Sequence, residues 1–401
     1  MENFSKIKIV IVFTVLINVI GAGIVIPVLP YYVESFGATP FQVTLLFAVF
    51  ALCSFFSSPF LGALSDKIGR RPVLIASIIS TFFGWLVFAL AGNIIFLFIG
   101  RIIDGLAAGN ISIAQSSLVD ISRNSKERTQ NLGLIGAAFG IGLVIGPLIG
   151  GLLSSFSPAV PFWFATALAF IDVIVAFIFL NETIPEKKHK ARIEWNPFSP
   201  LRRAAANKRL IPNFIAWFFF TMAFASTQAI FALYIDRVFG LGALAAGIFF
   251  AGTGLIVAFN QIVALKHFWL KYFSEPGIEF WMILVTGAGF LIMGIKFLFI
   301  FSIGMLIIAF GQSILRVVMT SQIVGNTRQD SRGEIIGITS SIQWLGMTIA
   351  PIIAGAIFTS QNNFPFILSG VYMLIAFVII LGSRRRMAKV EYIPETPMTS
   401  V

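Results

Sequence analysis

Apolar runs of about 20 residues recur along the whole of this 401-residue chain, separated by short polar turns. A helix of that length crosses the roughly 30 Å of hydrocarbon in a bilayer. Backbone groups in lipid must be paired within the protein, which leaves helices or closed barrels, and the strict alternation of a membrane barrel is absent. The chain is therefore expected to be an all-α integral membrane protein. Twelve spans are predicted at 7–35, 40–63, 72–92, 94–122, 129–155, 160–181, 210–236, 241–270, 277–296, 298–323, 332–358 and 363–383. The run from Lys8 to Pro30 begins like a signal peptide. It continues through Gly21, Gly23, Pro27 and Pro30 without a small-residue cleavage pattern, so it reads as a retained first span.

Only 11% of residues are charged against 58% hydrophobic, yet the net charge is +11. Its distribution argues for topology rather than for nucleic acid. Arg237 and Lys296 lie on the side bearing the 1–2, 3–4, 5–6, 7–8, 9–10 and 11–12 links, and Arg101 and Arg316 lie inside spans. Every other lysine and arginine lies on the opposite side with both termini, which the positive-inside rule makes cytoplasmic. A multi-pass protein of the cell membrane, with both ends inside, is expected. Cys53 is the sole cysteine, and His189 and His267 fall near polar segments. Neither an internal disulfide nor a Cys/His metal site is expected. With no Walker loop, cofactor loop or nucleophile constellation in the sequence, an enzyme or an ATP-driven pump is disfavoured.

The longest polar stretch, Asn181 to Arg209, carries Lys187, Lys188, Lys190, Arg192, Arg202, Arg203, Lys208 and Arg209 with Pro185 and Pro197. It divides the chain into a six-helix unit at 1–181, a cytoplasmic linker at 182–209, a second six-helix unit at 210–384 and a tail at 385–401. Trp195 and Phe198 either rest on the membrane surface or belong to a solvated loop. A shift of 204 residues lays RTQNLGLIGAAFGIGLVIGPLIGG (128–151) over RGEIIGITSSIQWLGMTIAPIIAG (332–355), matching Arg128 with Arg332, Gly133 with Gly337, Gly142 with Gly346, Pro147 with Pro351 and Gly151 with Gly355. The same shift brings Gly100 to Gly304 and Ser117 to Ser321. Two related halves in one register are the parallel repeat of a secondary transporter, with the substrate path between them.

The link between spans 2 and 3 reads GALSDKIGRRP, with Gly62, Asp66, Gly69, Arg70 and Arg71. A tight reversal needs glycine, and arginine there can form forked bonds to a carboxylate, for which Asp120 at the end of span 4 is suited. This stretch resembles the signature of the major facilitator superfamily. The resemblance implies that Asp66, Arg70 and Asp120 latch the two halves when the cavity faces outward; a merely charged turn is the alternative. Span 5 carries Gly136, Gly140, Gly146, Pro147, Gly150 and Gly151, whose small side chains allow close helix approach. It is similar to the GPxxGG motif of the family's antiporters. With NVIGAGIVIPVLPYYVESFG in span 1, the first half resembles bacterial tetracycline/proton antiporters and related drug exporters. One departure is Asn18, which stands where that pattern often has a carboxylate and cannot itself exchange a proton. The 8–9 link has lost the glycine-aspartate-arginine pattern of its counterpart.

Ionisable residues at mid-membrane cost about 2.5–3.5 kcal/mol on insertion scales and usually face a cavity or a partner. Arg101, Asp104, Asp172 and Arg316 are of this kind. Arg101 and Asp104 share a helical face, which Ala108, Ser112 and Gln115 continue. Asp104 and Asp172 are the proton-coupling candidates. The alternative for Asp104 is a permanent pair with Arg101; for Asp172 it is a packing role, hydrogen-bonded across to span 3 or 4. Arg316 either holds an anionic substrate group or pairs across the cavity with an aspartate. The other cavity candidates are Asn18, Asn110, Gln228, Asn260, Gln261, Gln312 and Gln343, and the 44 phenylalanines with Trp344 suit a flat, amphipathic compound. Together these features predict a monomeric, proton-coupled exporter of small amphipathic compounds, without cofactor, metal or nucleic-acid partner. A symporter or facilitator of a sugar, metabolite or organic anion is the alternative, favoured by Arg316 and Asn18.

Overall fold

The apolar runs fold as helices because no other open structure satisfies their backbone in a membrane. The computed structural model describes residues 2–122, 125–183, 198–206, 210–325 and 332–391. Among them are twelve spans long and apolar enough to cross a bilayer. The first half comprises α1 (Glu2–Glu34), α2 (Pro40–Ile68), α3 (Arg70–Ala89), α4 (Ile94–Leu106) and α5 (Asn110–Asp120), which together make the fourth span, then α6 (Ser125–Ser154) and α7 (Val160–Phe179). A short α8 (Ser199–Ala206) precedes the second half. That half comprises α9 (Ile211–Phe239), α10 (Ala243–Phe259) with a π-helical extension Asn260–Trp269 and the brief α11 (Leu270–Tyr272), α12 (Glu275–Met293), α13 (Leu298–Gly325), α14 (Arg332–Phe358) and α15 (Phe364–Glu391). Of the linker residues discussed above, Pro185, Lys187, Lys188, Lys190, Arg192, Trp195, Pro197, Lys208 and Arg209 lie outside the described residues. Phe198 packs its ring on Phe55 and Phe56 of α2, at centroid distances of 5.7 and 6.2 Å.

Three local structures differ from the expected ones. The GALSDKI stretch is not a loop: α2 continues to Ile68, and the chain reverses at Gly69 alone, whose φ of +110° favours glycine. Gly62 lies within the helix with open space beside it. The fourth span is broken between Leu106 and Asn110, so the face from Arg101 to Gln115 is not one straight stripe. Small residues at Gly105, Ala107, Ala108 and Gly109 let the chain approach α2, where Ser57 donates to the Gly105 carbonyl at 2.8 Å and Ser58 to that of Ala108 at 3.1 Å. Those hydroxyls satisfy carbonyls that the break affects. The eighth span widens into a π-helix at Asn260, a feature that often marks functional sites.

Within the first half α1 packs on α6 and α7, and α3 on α4 and α7; within the second, α9 packs on α14 and α15, and α12 on α13 and α15. Between the halves, α6 meets α10 and α2 meets α14. Exchanging the halves converts the fifth–eighth pair into the eleventh–second pair, so the interface keeps the symmetry of the sequence repeat. The halves are tied at the end remote from the linker. The Tyr31 hydroxyl shares its hydrogen between the carbonyls of Leu241 (2.9 Å) and Ala232 (3.2 Å), and Arg237 of α9 pairs with Glu34 of α1 at 2.7 Å. Toward the linker end, Gly133 and Gly136 of α6 and Gly337 of α14 face open space.

Candidate functional site

A chain of buried polar side chains runs through the first half. Asp172 on α7 is fully buried and accepts hydrogen bonds from Thr14 (2.8 Å) and Asn18 (3.3 Å), both on α1. The Asn18 carbonyl accepts from Asn110 of α5 at 2.7 Å, and Asn110 also donates to Thr81 of α3 at 3.1 Å. The Thr81 hydroxyl stands beside Asp104 of α4, whose carboxylate lies 3.9 Å from Arg101. Asp172 is thus joined through two amides to a hydroxyl that stands beside the second carboxylate, Asp104. A small cavity between α1, α3 and α7 reaches Asn18, Thr81 and Asp172. The bonds of Asp172 run to the first span, not to the third or fourth. Thr14 and Thr81 were not singled out by sequence; the available signal is that Thr14 lies one turn before Asn18 on the same helical face.

Arg101 is enclosed rather than hydrated. Its guanidinium lies 5.2–6.0 Å from the rings of Phe47, Phe50, Trp85 and Phe88, and its Nε has no hydrogen-bond partner. Such cation–π contacts contribute about 2 kcal/mol where water is excluded. Gly84 permits this packing, because a Cβ there would sit 2.8 Å from that of Asp104.

Polar side chains on other helices have a different setting. Gln115 is exposed and Gln228 and Gln312 are half-buried, and none has a side-chain hydrogen bond among the described residues. Among the described residues the Gln343 side chain reaches only the Met347 sulfur, at 3.9 Å. Unpaired amides at mid-span are costly against hydrocarbon and favourable against water. Trp344 beside Gln343 meets Phe50 across the halves at 6.0 Å. Asn260 is buried, donating to Ser313 at 3.0 Å, and Gln261 donates to the Ser313 carbonyl at 3.4 Å.

At the linker end Arg70 organises the signature stretch. It bonds Asp66 at 2.6 Å, Asp120 at 3.0 Å and the Ser65 hydroxyl at 2.6 Å. Arg71 donates to the carbonyls of Leu180 (2.6 Å) and Phe177 (3.0 Å). Sequence reading missed Glu182, whose carboxylate accepts the backbone N–H groups of Arg70 and Arg71 at 2.9 and 3.1 Å. It thereby compensates the positive end of α3. A Cβ at position 69 would lie 2.3 Å from that carboxylate, a second reason for glycine there. All the side-chain bonds of Arg70 and Arg71 stay within the first half.

The corresponding junction of the second half has not simply decayed; its charges are exchanged. Where the third span supplies arginine, the ninth supplies Glu279, 1% exposed, which accepts from Gln322 of the tenth span at 2.9 Å and from Arg384 of the twelfth at 3.3 Å. Glu275 one turn earlier accepts from Ser321 at 3.1 Å. The glycine-arginine pattern is lost, but a three-helix polar tie persists. Replacing Arg384 by alanine is expected to lower thermal stability more than replacing Glu279 by alanine. The first change strands a buried carboxylate, with a cost of about 3 kcal/mol; the second leaves an arginine that reaches water. Comparing the two melting temperatures in one detergent checks this order.

In span 5, Gly146 and Gly150 pack against α1, while Gly151 approaches Leu244 of α10. Gly140 only touches Ala258 at an ordinary 3.7 Å, and Gly136 has no neighbour, so those two are not packing glycines in this state.

Two pseudo-symmetric six-helix bundles that meet across paired helices are the architecture of a secondary transporter. The model of the Major Facilitator Superfamily matches residues 11–273, and the chain belongs to that family of non-enzymatic transporters. It is 28% identical over 390 residues to the quinolone resistance protein NorA of Staphylococcus aureus (strain MSSA476), spanning 95% of this chain and 97% of that one. Multidrug resistance protein 2 of Bacillus subtilis (strain 168) is 26% identical, over 92% and 93% of the two chains. Among solved structures the fold is similar to that of the peptide transporter POT, with a TM-score of 0.79, 13% identity and coverage of 96% and 95%. It is also similar to the human organic anion transporter MFSD10 (TETRAN), with a TM-score of 0.74, 22% identity and coverage of 94% and 99%. These structural likenesses concern the fold alone.

Proposed function

We propose that this transporter exports small amphipathic compounds in exchange for protons, by rocking of the two halves about a central cavity. The observation that carries the reading is the buried chain from Asp172 to Asp104. Its donors all point outward from Asn110: toward Asn18 and hence Asp172 on one side, toward Thr81 and hence Asp104 on the other. A proton arriving on either carboxylate turns an acceptor into a donor, and the chain must then reorient. The buried Oδ1 of Asn110, which has no partner, is available as an acceptor when its amide turns. Asn18 is thus not a missing carboxylate but the partner of one supplied by α7. The names of the relatives, a quinolone resistance protein and a multidrug resistance protein, support drug-like cargo.

The chain works as a monomer, and the distribution of lysine and arginine favours a cytoplasmic linker and cytoplasmic termini. The state described here, tied at the remote end, is then inward-facing. Asp66, Arg70 and Asp120 latch the halves in the opposite state. Inverted vesicles loaded with a pH-sensitive dye test the exchange. Addition of transported compounds should release protons from an acid-loaded lumen. Proton movement that no compound alters, together with flux driven by a sugar or anion gradient alone, would overturn antiport in favour of facilitation.

A further inference from the structure

Arg316 stands within a span without a carboxylate partner among the described residues. Arg70, Arg101, Arg237 and Arg384 each have a carboxylate partner. Among the described residues Arg316 has neither an ion pair nor a side-chain hydrogen bond. Beyond Leu298, which is exposed at the first residue of α13, the exposed apolar stripe of this helix is Phe299, Ile303, Leu306 and Phe310, and at 100° per residue Arg316 projects roughly 110° away from it. The residue is nonetheless exposed, as a side chain facing an internal, water-accessible space would be.

The surroundings are built for a polar ligand. Gln312 lies one turn before Arg316 on the same face and has no side-chain hydrogen bond among the described residues. The π-helical widening of the eighth span brings Asn260 and Gln261 onto Ser313, three residues before Arg316. Gln261 is exposed and uses its amide for one long bond of 3.4 Å, so its carbonyl and second N–H remain free. A cation without a counter-charge in a cleft between apolar helices attracts an anionic group more strongly than one in bulk water, and guanidinium binds carboxylate in a forked geometry.

We propose that Arg316, flanked by Gln312 and Gln261, is a subsite for the acidic group of the cargo, so that the preferred substrates are amphipathic compounds carrying a carboxylate. The inference deepens the reading of the interior as a path for amphipathic cargo, and its test requires no proton gradient. Rhodamine 110, which carries a free carboxylate, and rhodamine 123, its methyl ester, differ in that group alone. Their equilibrium binding to the purified full-length protein in detergent is followed by fluorescence anisotropy. The acid should bind at least about tenfold more tightly than the ester, equivalent to about 1.4 kcal/mol. Arg316→Gln should abolish that ratio by weakening the acid alone. Arg316→Lys, which keeps the charge without the fork, should retain part of it, and unchanged melting temperatures certify both folds. An acid that binds no better than its ester, whether both bind or neither does, overturns the subsite, as does a preference that survives Arg316→Gln. If the ratio behaves as stated while no vesicle experiment links flux to protons, the coupling mechanism is wrong and the subsite stands.

Discussion

Asp172→Asn should abolish proton release coupled to export while leaving a folded, compound-binding protein. Asparagine keeps an acceptor for the Thr14 hydroxyl, now 2.8 Å from the carboxylate, and removes a charge from a fully buried site. Lost charge-assisted bonds, worth about 1.5–3 kcal/mol each, are offset by relief of the desolvation penalty of the ion. Thermal stability should therefore be unchanged or raised. A purely structural role predicts the reverse, a lowered melting temperature with coupling intact. The stronger test is the exchange: Asn18→Asp combined with Asp172→Asn places the carboxylate on α1 and the amide on α7, across the same 3.3 Å contact. Coupled proton release should return in part, because the bridge through Asn110 still joins the pair to Thr81 and Asp104. If the double variant is as dead as Asp172→Asn while equally stable, the position on α7 matters beyond its proton, and the interchangeable-pair account fails.

This arrangement shows where sequence reading reaches and where it stops. Asp172, Asp104 and Arg101 are conspicuous in the sequence, since a charge in an apolar run carries a penalty that demands an explanation. Their connection was not, because it depends on Thr14 and Thr81, and threonines in membrane helices commonly bond only their own backbone one turn back, as Thr166 and Thr348 do here. Spans were legible because the bilayer leaves the backbone so few solutions. The break at 107–109 was hidden because glycine and alanine fit a membrane helix as well as a gap, and the serines that satisfy the break lie on α2. Glu182 looked like the start of a polar linker, and its role depends on the folded position of α3 beside the end of α7. The Glu279–Arg384 tie was missed for a related reason. A search for the same residues at the repeat position cannot find a junction that keeps its place and exchanges its charges.

The glycines of the fifth span separate folding from rocking, and a pair of single-methyl changes should show it. Along α6 one face meets α1: a Cβ at Gly146 would lie 2.7 Å from the Ile20 carbonyl and 2.9 Å from the Gly23 Cα. Both helices belong to the first half, so no movement between halves relieves the wedge. Gly146→Ala should lower thermal stability, with an overpacking cost of about 1–3 kcal/mol. The other face meets α10 of the second half, where a Cβ at Gly247 would lie 2.4 Å from the Pro147 carbonyl. Here the clash is relieved by parting the halves, which is the transport motion itself. Gly247→Ala should therefore leave the melting temperature close to that of the parent and penalise the described state. A cost of about 1–3 kcal/mol moves the equilibrium about 5- to 150-fold toward opening at the remote end. Thr44 reports it, being fully buried here and facing Gly355 across the halves. In a Cys53→Ser background, Thr44→Cys should react slowly with an impermeant maleimide in the parent and in Gly146→Ala, and faster in Gly247→Ala. Equal labelling rates, or a loss of stability in Gly247→Ala as large as in Gly146→Ala, would mean that the α6–α10 contact is a fixed seam of the fold and that the halves move about some other line.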